Sequence, residues 1–190
     1  ERHPPRVSDR EIGGSLAGSI DWATQAMKLA DELQDRDLQA ILRCVRGHAQ
    51  AALGDWEDAA AGYRASLALF RELGRPTMPP EPIAGLSRIA LARGDVEGAM
   101  KTIGEVIAHF DGGGSVDGTE DPIWIYLTCH QVLAATGSPR AVEFLDRAHA
   151  LLSERAAALG DEERASFLAN VPTNRAVVAA SIASGRAASV

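Results

Sequence analysis

Apolar residues recur every three or four positions along most of this chain, the period of a helix with one buried face. Ile20, Ala23, Met27, Ala30 and Leu33 set that period for a first helix over Ser15 to Leu33. Leu38, Leu42, Val45, Ala49 and Ala52 set it for a second over Asp37 to Leu53, and a third runs from Trp56 to Leu73 and stops at Gly74. The proline-rich run from Arg75 to Pro82 bars helix until its end, where a proline ring is tolerated in a first turn. A fourth helix then covers Glu81 to Arg93, with Ile83, Leu86, Ile89 and Ala90 inward. A fifth covers Asp95 to Phe110, with Ala99, Ile103, Val106, Ile107 and Phe110 inward. The glycine-rich, acidic stretch Asp111 to Thr119 predicts a mobile surface loop. The pattern resumes over Pro122 to Thr136 and again over Ser138 to Leu159, the latter with Val142, Leu145, Ala148, Leu151 and Leu152 inward. Gly160-Asp161 opens a short helix to Ala169, and Thr173 caps a last one reaching Ser184 after Pro172 breaks the chain. The expected fold class is therefore all-α, with about nine helices.

Within that pattern one phrase returns. Gly54-Asp55-Trp56-Glu57-Asp58-Ala59 is followed by Tyr63 and Ser66, so small, large and small residues share one helix face. Gly94-Asp95-Val96-Glu97-Gly98-Ala99 is followed in the same way by Ile103 and Val106. Gly137-Ser138-Pro139-Arg140-Ala141, one residue shorter, leads to Leu145 and Ala148. An earlier copy, Gly18-Ser19-Ile20-Asp21-Trp22-Ala23, leads to Met27 and Ala30. Glycine ends a helix because it accepts a left-handed backbone, Asp or Ser can cap the next helix, and the alanine lets two helices approach closely. Self-similarity at about 40 residues marks stacked helical hairpins.

The phrase resembles the tetratricopeptide repeat, in which a leucine-small pair on the first helix precedes a glycine turn and an alanine-x3-large motif. Here the pair reads Arg46-Gly47, Leu86-Ser87 and Cys129-His130, and the middle copy keeps the family's form. The resemblance covers Gly18 to Ala180 and extends to the long-helix variant in regulatory arms of multidomain bacterial ATPase transcriptional regulators and nucleotide cyclases. The closing run Arg164 to Arg175 is similar to the segment that often ends such arms. The resemblance implies a right-handed superhelix of antiparallel hairpins, an α-solenoid, as a single domain over residues 15–184. Residues 1–14 are then a linker or frayed start, and 185–190 a disordered tail.

Composition narrows the function classes. A net charge of −7 argues against direct nucleic-acid binding, which needs concentrated basic charge. No apolar run is long enough for a membrane span, and no signal peptide is visible. Two cysteines without metal-type spacing fit reduced thiols and a cytoplasmic setting. A start at Glu1 rather than Met suggests a fragment of a longer protein.

Catalytic chemistry has no anchor in the residues. The Asp111 to Gly118 loop lacks the alternating oxygen ligands of a calcium loop and the lysine of a phosphate loop, so a flexible linker is the expectation. Cys44 and His48 share a helix face without an evident third ligand, so no metal or cofactor is expected. Cys129 and His130 are adjacent and point to different faces, which disfavours a dyad.

Binding has more support. The resemblance places the first helix of each hairpin on an inner, concave wall. Cys44 and His48 would then line it from one hairpin, Arg88 from the next, and Trp124, Thr128 and Gln131 from the third. His48, Arg88 and Gln131 align as a column able to bond a peptide backbone or a carboxylate, with the Arg88 guanidinium as its anchor. The plain alternative is a solvated surface. Trp124 has the further alternative of a core residue after the loop. The favoured function is a non-catalytic interaction or sensor module of a bacterial signalling or transcription regulator, with a protein or peptide segment, or another domain of its parent, as partner. The alternatives are a small-molecule effector site in the same wall, and a structural module that self-associates as a homodimer.

Overall fold

The computed structural model describes residues 9–74 and 79–185, with side-chain surroundings from Gly18 onward. The described residues are all-helical: α1 (Asp9–Glu32), α2 (Arg36–Leu53), α3 (Trp56–Glu72), α4 (Pro80–Ala92), α5 (Val96–Asp111), α6 (Pro122–Ala135), α7 (Ala141–Ala157), α8 (Asp161–Asn170) and α9 (Pro172–Ala183). Among them no helix is long and apolar enough to cross a membrane.

The helix ends follow from local chemistry. Asp35, Asp95 and Asp121 accept from Leu38 N, Gly98 N and Trp124 N at 3.0, 2.8 and 3.1 Å, capping α2, α5 and α6. After α2, α4 and α6 the chain turns on Gly54, Gly94 and Gly137, with φ of 89°, 79° and 68°. The next amide in each case reaches back five residues, Asp55 N to Gln50 O, Asp95 N to Ala90 O and Ser138 N to Leu133 O, at 2.9 to 3.0 Å. This bond closes the helix and reverses the chain.

Gly18 departs from that pattern, because it lies inside α1 and its copy of the phrase has no turn. Helix α1 is also already in place at Asp9, where the sequence predicted a linker as far as residue 14. Glycine weakens a helix interior by about 1 kcal/mol without breaking it, so Gly13 and Gly14 are carried along. Residues 1–8 of that segment, Arg75 to Met78 of the proline-rich run, and residues 186–190 of the predicted tail lie outside the described residues. Helix α7 starts at Ala141 rather than Ser138, since Ser138 to Arg140 form the turn itself, with Ala141 N on Ser138 O at 3.1 Å. Pro172 takes the first position of α9, where its missing N–H costs nothing, and Thr173 sits within the helix.

The repeated positions are buried alike. Ala23, Ala59, Ala99 and Ala141 are buried in all four copies; four residues on, Tyr63, Ile103 and Leu145 are fully enclosed and Met27 is half-buried. Ala30, Ser66, Val106 and Ala148 complete the buried face. Three predicted inward residues are not inward. Leu33 is 75 % exposed just past the end of α1, Ala52 is exposed in the last turn of α2, and Val142 is turned about 100° away from buried Ala141.

Helices α1 to α5 gather into one compact unit and α6 to α9 into another. In the first, each helix packs on the next, and α2 also meets α4. Its core joins Cys44, Ala59, Ala60, Tyr63 and Ile89. In the second, α9 lies against both α6 and α7, and α8 packs on α7 and α9. That core is Ile123, Leu127, Leu145, Ala148, Leu152 and Val177, flanked by Phe167 and Leu168 of α8.

Candidate functional site

The α1–α5 unit holds a buried polar cluster around Tyr63. The ring of Tyr63 passes between Gly47 of α2 and Gly85 of α4. A Cβ on Gly47 would come within 2.9 Å of the ring, and one on Gly85 within 2.5 Å. Two glycines therefore make the slot, and the phenol emerges from it beside His48. Tyr63 Oη lies 2.9 Å from His48 Nδ1, and Cys44 Sγ lies 3.4 Å from His48 Nε2. The histidine and tyrosine rings meet edge to face, with centroids 5.3 Å apart.

Burial decides the charge states. It lowers the His48 pKa to about 4, with help from the nearby positive charge of Arg88. Burial also pushes the Tyr63 phenol well up, the Arg88 charge opposing and the Glu81 charge reinforcing that shift. The imidazole is neutral at pH 7, with one donor and one acceptor nitrogen, so it links the thiol and the phenol in a single polarised chain. A thiolate–imidazolium pair needs a protonated ring, which this environment opposes, so Cys44 and His48 lack the features of an activated nucleophile. Glu81 is 8 % exposed in the first turn of α4, where its charge suits the helix dipole. Arg88, two turns along α4, is half-buried; both side chains have partners. Among the described residues no three His, Cys, Asp or Glu side chains converge on a metal position.

A recess opens on the same face of α2. Ile41 and Asp37 sit one and two turns before Cys44, on the stripe of that helix that continues to His48. With Phe70, Pro79, Pro80, His109 and the segment from Gly114 to Thr119 they line a cavity of about 390 Å³. The loop expected to be a flexible linker is bonded to itself and to α5. His109 Nε2 meets Ser115 O at 3.0 Å, Ser115 Oγ donates to Asp117 Oδ2 at 2.8 Å, and Thr119 Oγ1 donates to Val116 O at 2.7 Å. Gly114 lets His109 in, since a Cβ there would meet the ring at 2.2 Å.

Of the six residues singled out from the sequence, the structure joins Cys44, His48 and Arg88 in one cluster. Cys44 is 6 % exposed, so it supports His48 from below and offers no open binding surface. Trp124, Thr128 and Gln131 belong to the α6–α9 unit. Thr128 is fully buried with its hydroxyl on Trp124 O at 2.8 Å, a bond within α6 that leaves it nothing to present. Trp124 and Gln131 are half-buried. Sequence reasoning missed Tyr63 and Glu81 as members of the cluster. The signal for Tyr63 was its hydroxyl at a position where Ile103 and Leu145 stand in the other copies.

A second regularity links the hairpins. The small-residue position of each first helix faces the backbone carbonyl of the repeated alanine in the second. Ser87 Oγ donates to Ala99 O at 2.7 Å, and His130 Nδ1 donates to Ala141 O at 2.9 Å. A Cβ on Gly47 would lie 3.3 Å from Ala59 O. Comparison of this chain with models of protein families, with curated proteins and with solved structures returned no match in any of the three.

Proposed function

We propose that this chain is a non-catalytic helical-repeat interaction or sensor module of the tetratricopeptide type, serving a larger bacterial signalling or transcription regulator. The α1–α5 unit would stack its hairpins in that family's manner and bind a protein or peptide segment against the α2 and α4 face. The observation that carries the reading is the register shared by three hairpins, with Gly47, Ser87 and His130 set against the carbonyls of Ala59, Ala99 and Ala141. Equivalent residues in equivalent contacts are what a stacked repeat requires. The face offers exposed Ile41 and half-buried Phe70 as apolar lining of the recess, and half-buried Arg88 of α4 as a guanidinium near His48.

Selection of a displayed random-peptide library on the intact chain tests this reading. Enriched peptides should lose binding about tenfold or more with Ile41→Glu or Arg88→Ala. Selected peptides whose affinity ignores both substitutions would remove α2 and α4 as the binding face. A second reading, a small-molecule effector site, is favoured by the 390 Å³ recess, whose size suits a metabolite. A thermal-shift screen separates the two, since a ligand at a hundredfold its Kd adds about 2.7 kcal/mol of stability.

A further inference from the structure

We infer that the recess beside α2 binds a small organic cation, a protonated amine carried on an apolar ring or chain. The inference rests on the small-molecule reading of that recess and names its ligand class. Two kinds of wall meet there. Ile41 of α2, Phe70 of α3, and Pro79 and Pro80 at the start of α4 make an apolar side, while Asp37 and Asp117 bring carboxylates. At about 390 Å³ the cavity lies near the lower end of the ~300–1,000 Å³ usual for ligand sites. That is room for one ring or short chain with a single polar end.

The carboxylate of Asp117 is set in place by its own loop. Ser115 Oγ donates to Asp117 Oδ2 at 2.8 Å and accepts from Asp117 N at 3.2 Å. His109 Nε2 donates to Ser115 O at 3.0 Å and ties that segment to α5. Asp117 Oδ1 is left to meet a ligand donor, on a group whose position is already fixed, so little ordering is needed when the ligand arrives. Asp37 has a partner of its own and adds its negative charge to the field of the site. Its neighbour Arg36 is paired with Glu72. Among the described residues no lysine or arginine lines the recess, and the sequence has none between Lys101 and Arg140.

Charge then chooses among ligands. An anion would face both carboxylates with no lysine or arginine of the lining to offset them. A neutral apolar molecule would use the Ile41 and Phe70 side alone. A cation uses both walls, and an aromatic ring favours it over a neutral group of the same shape. The chain makes that contact elsewhere, where the guanidinium carbons of Arg140 and Arg147 lie 5.8 and 5.3 Å from the centre of the Phe144 ring. Phe70 supplies such a ring to the recess. A bare metal ion fits less well, because it needs several converging oxygens, and no three metal-ligating side chains converge among the described residues.

Three probes of one shape and different charge test this on the intact chain: 2-phenylethylamine, 2-phenylethanol and 3-phenylpropionate, titrated by ligand-observed NMR. The amine should bind saturably, about tenfold or more tighter than the other two, and more weakly as salt rises. Asp117→Asn keeps an oxygen for Ser115 and removes the charge, so it should weaken the amine about tenfold and leave the alcohol unchanged. Phe70→Leu should weaken amine and alcohol together. Equal binding of all three, or a preference for the alcohol or the propionate, overturns the cation assignment and leaves the recess a small-molecule site. Amine binding indifferent to Asp117→Asn overturns the assignment as well. No saturable binding by any of the three overturns it together with the small-molecule reading of the recess.

Discussion

Tyr63 sets the character of the α1–α5 core because, alone among the three fully enclosed equivalents, it brings a hydroxyl inside. Ile103 and Leu145 need only volume. The tyrosine needs a polar partner at the end of its ring, and His48 supplies one at 2.9 Å. That partner is useful only while neutral. In an unfolded chain its pKa is about 6.5, and in the fold it is lowered to about 4 by burial and then by Arg88. Between those values the unfolded chain takes up a proton that the folded chain refuses. Stability from this group is therefore fully present above pH 6.5 and is lost as pH falls toward 4. The full gap corresponds to about 3 kcal/mol, and partial water access to the half-buried ring reduces it to about 2 kcal/mol. Denaturant unfolding at pH 7 and pH 4.5 should show that loss in the native chain and a smaller one in His48→Gln. The carboxylates contribute equally to both proteins, so the difference isolates the histidine; identical pH dependence would remove it as the cause.

At the scale of the element, the hairpins use one contact register with different chemistry in each slot. Two serines in that register are fully buried and have opposite prospects. Ser87 Oγ is bonded to Ala99 O, and losing that bond in Ser87→Ala should cost about 1 kcal/mol. Ser66 Oγ is buried without a partner, at a position where two other copies place Ala30 and Ala148. Ser66→Ala should stabilise by about 1 kcal/mol, since it removes a desolvated hydroxyl and supplies a better helix former. Urea midpoints of the two variants should move in opposite directions, and a common direction would mean that the copies are not equivalent. The helices and their turns were legible because apolar period, turn glycines and capping aspartates all spoke locally. What escaped the sequence depended on neighbours. Leu33 and Val142 have the composition of buried residues, and only the packing partners of α1 and α7 decide that they are not. Gly85 reads as a weak point in α4 until Tyr63 is seen to need its missing Cβ. Cys44 and His48 were visible as a pair, but the phenol closing their chain comes from another helix fifteen residues away.

At the scale of the whole molecule, each compact unit contains one cysteine, so the chain carries its own reporters of opening. Cys44 belongs to α1–α5 and Cys129 to α6–α9, and both are buried thiols outside any disulfide. Burial pushes the Cys129 thiol up to about 12 from an ordinary value of 9.0. Since the thiolate is the reacting species, that shift alone lowers its reactive fraction near pH 8 by about a thousandfold, before any barrier to access. In Cys44→Ser, which keeps a hydroxyl for His48, Ellman's reagent should therefore leave the native chain almost unlabelled on the timescale in which a free thiol reacts fully. Labelling should then accelerate with denaturant as the fold around α6 opens, because opening restores both ionisation and access. The slope of that acceleration measures the surface exposed when the fold around Cys129 opens. Rapid labelling of Cys129 in native buffer would show that its face of α6 is open, against the complete burial the structure gives it.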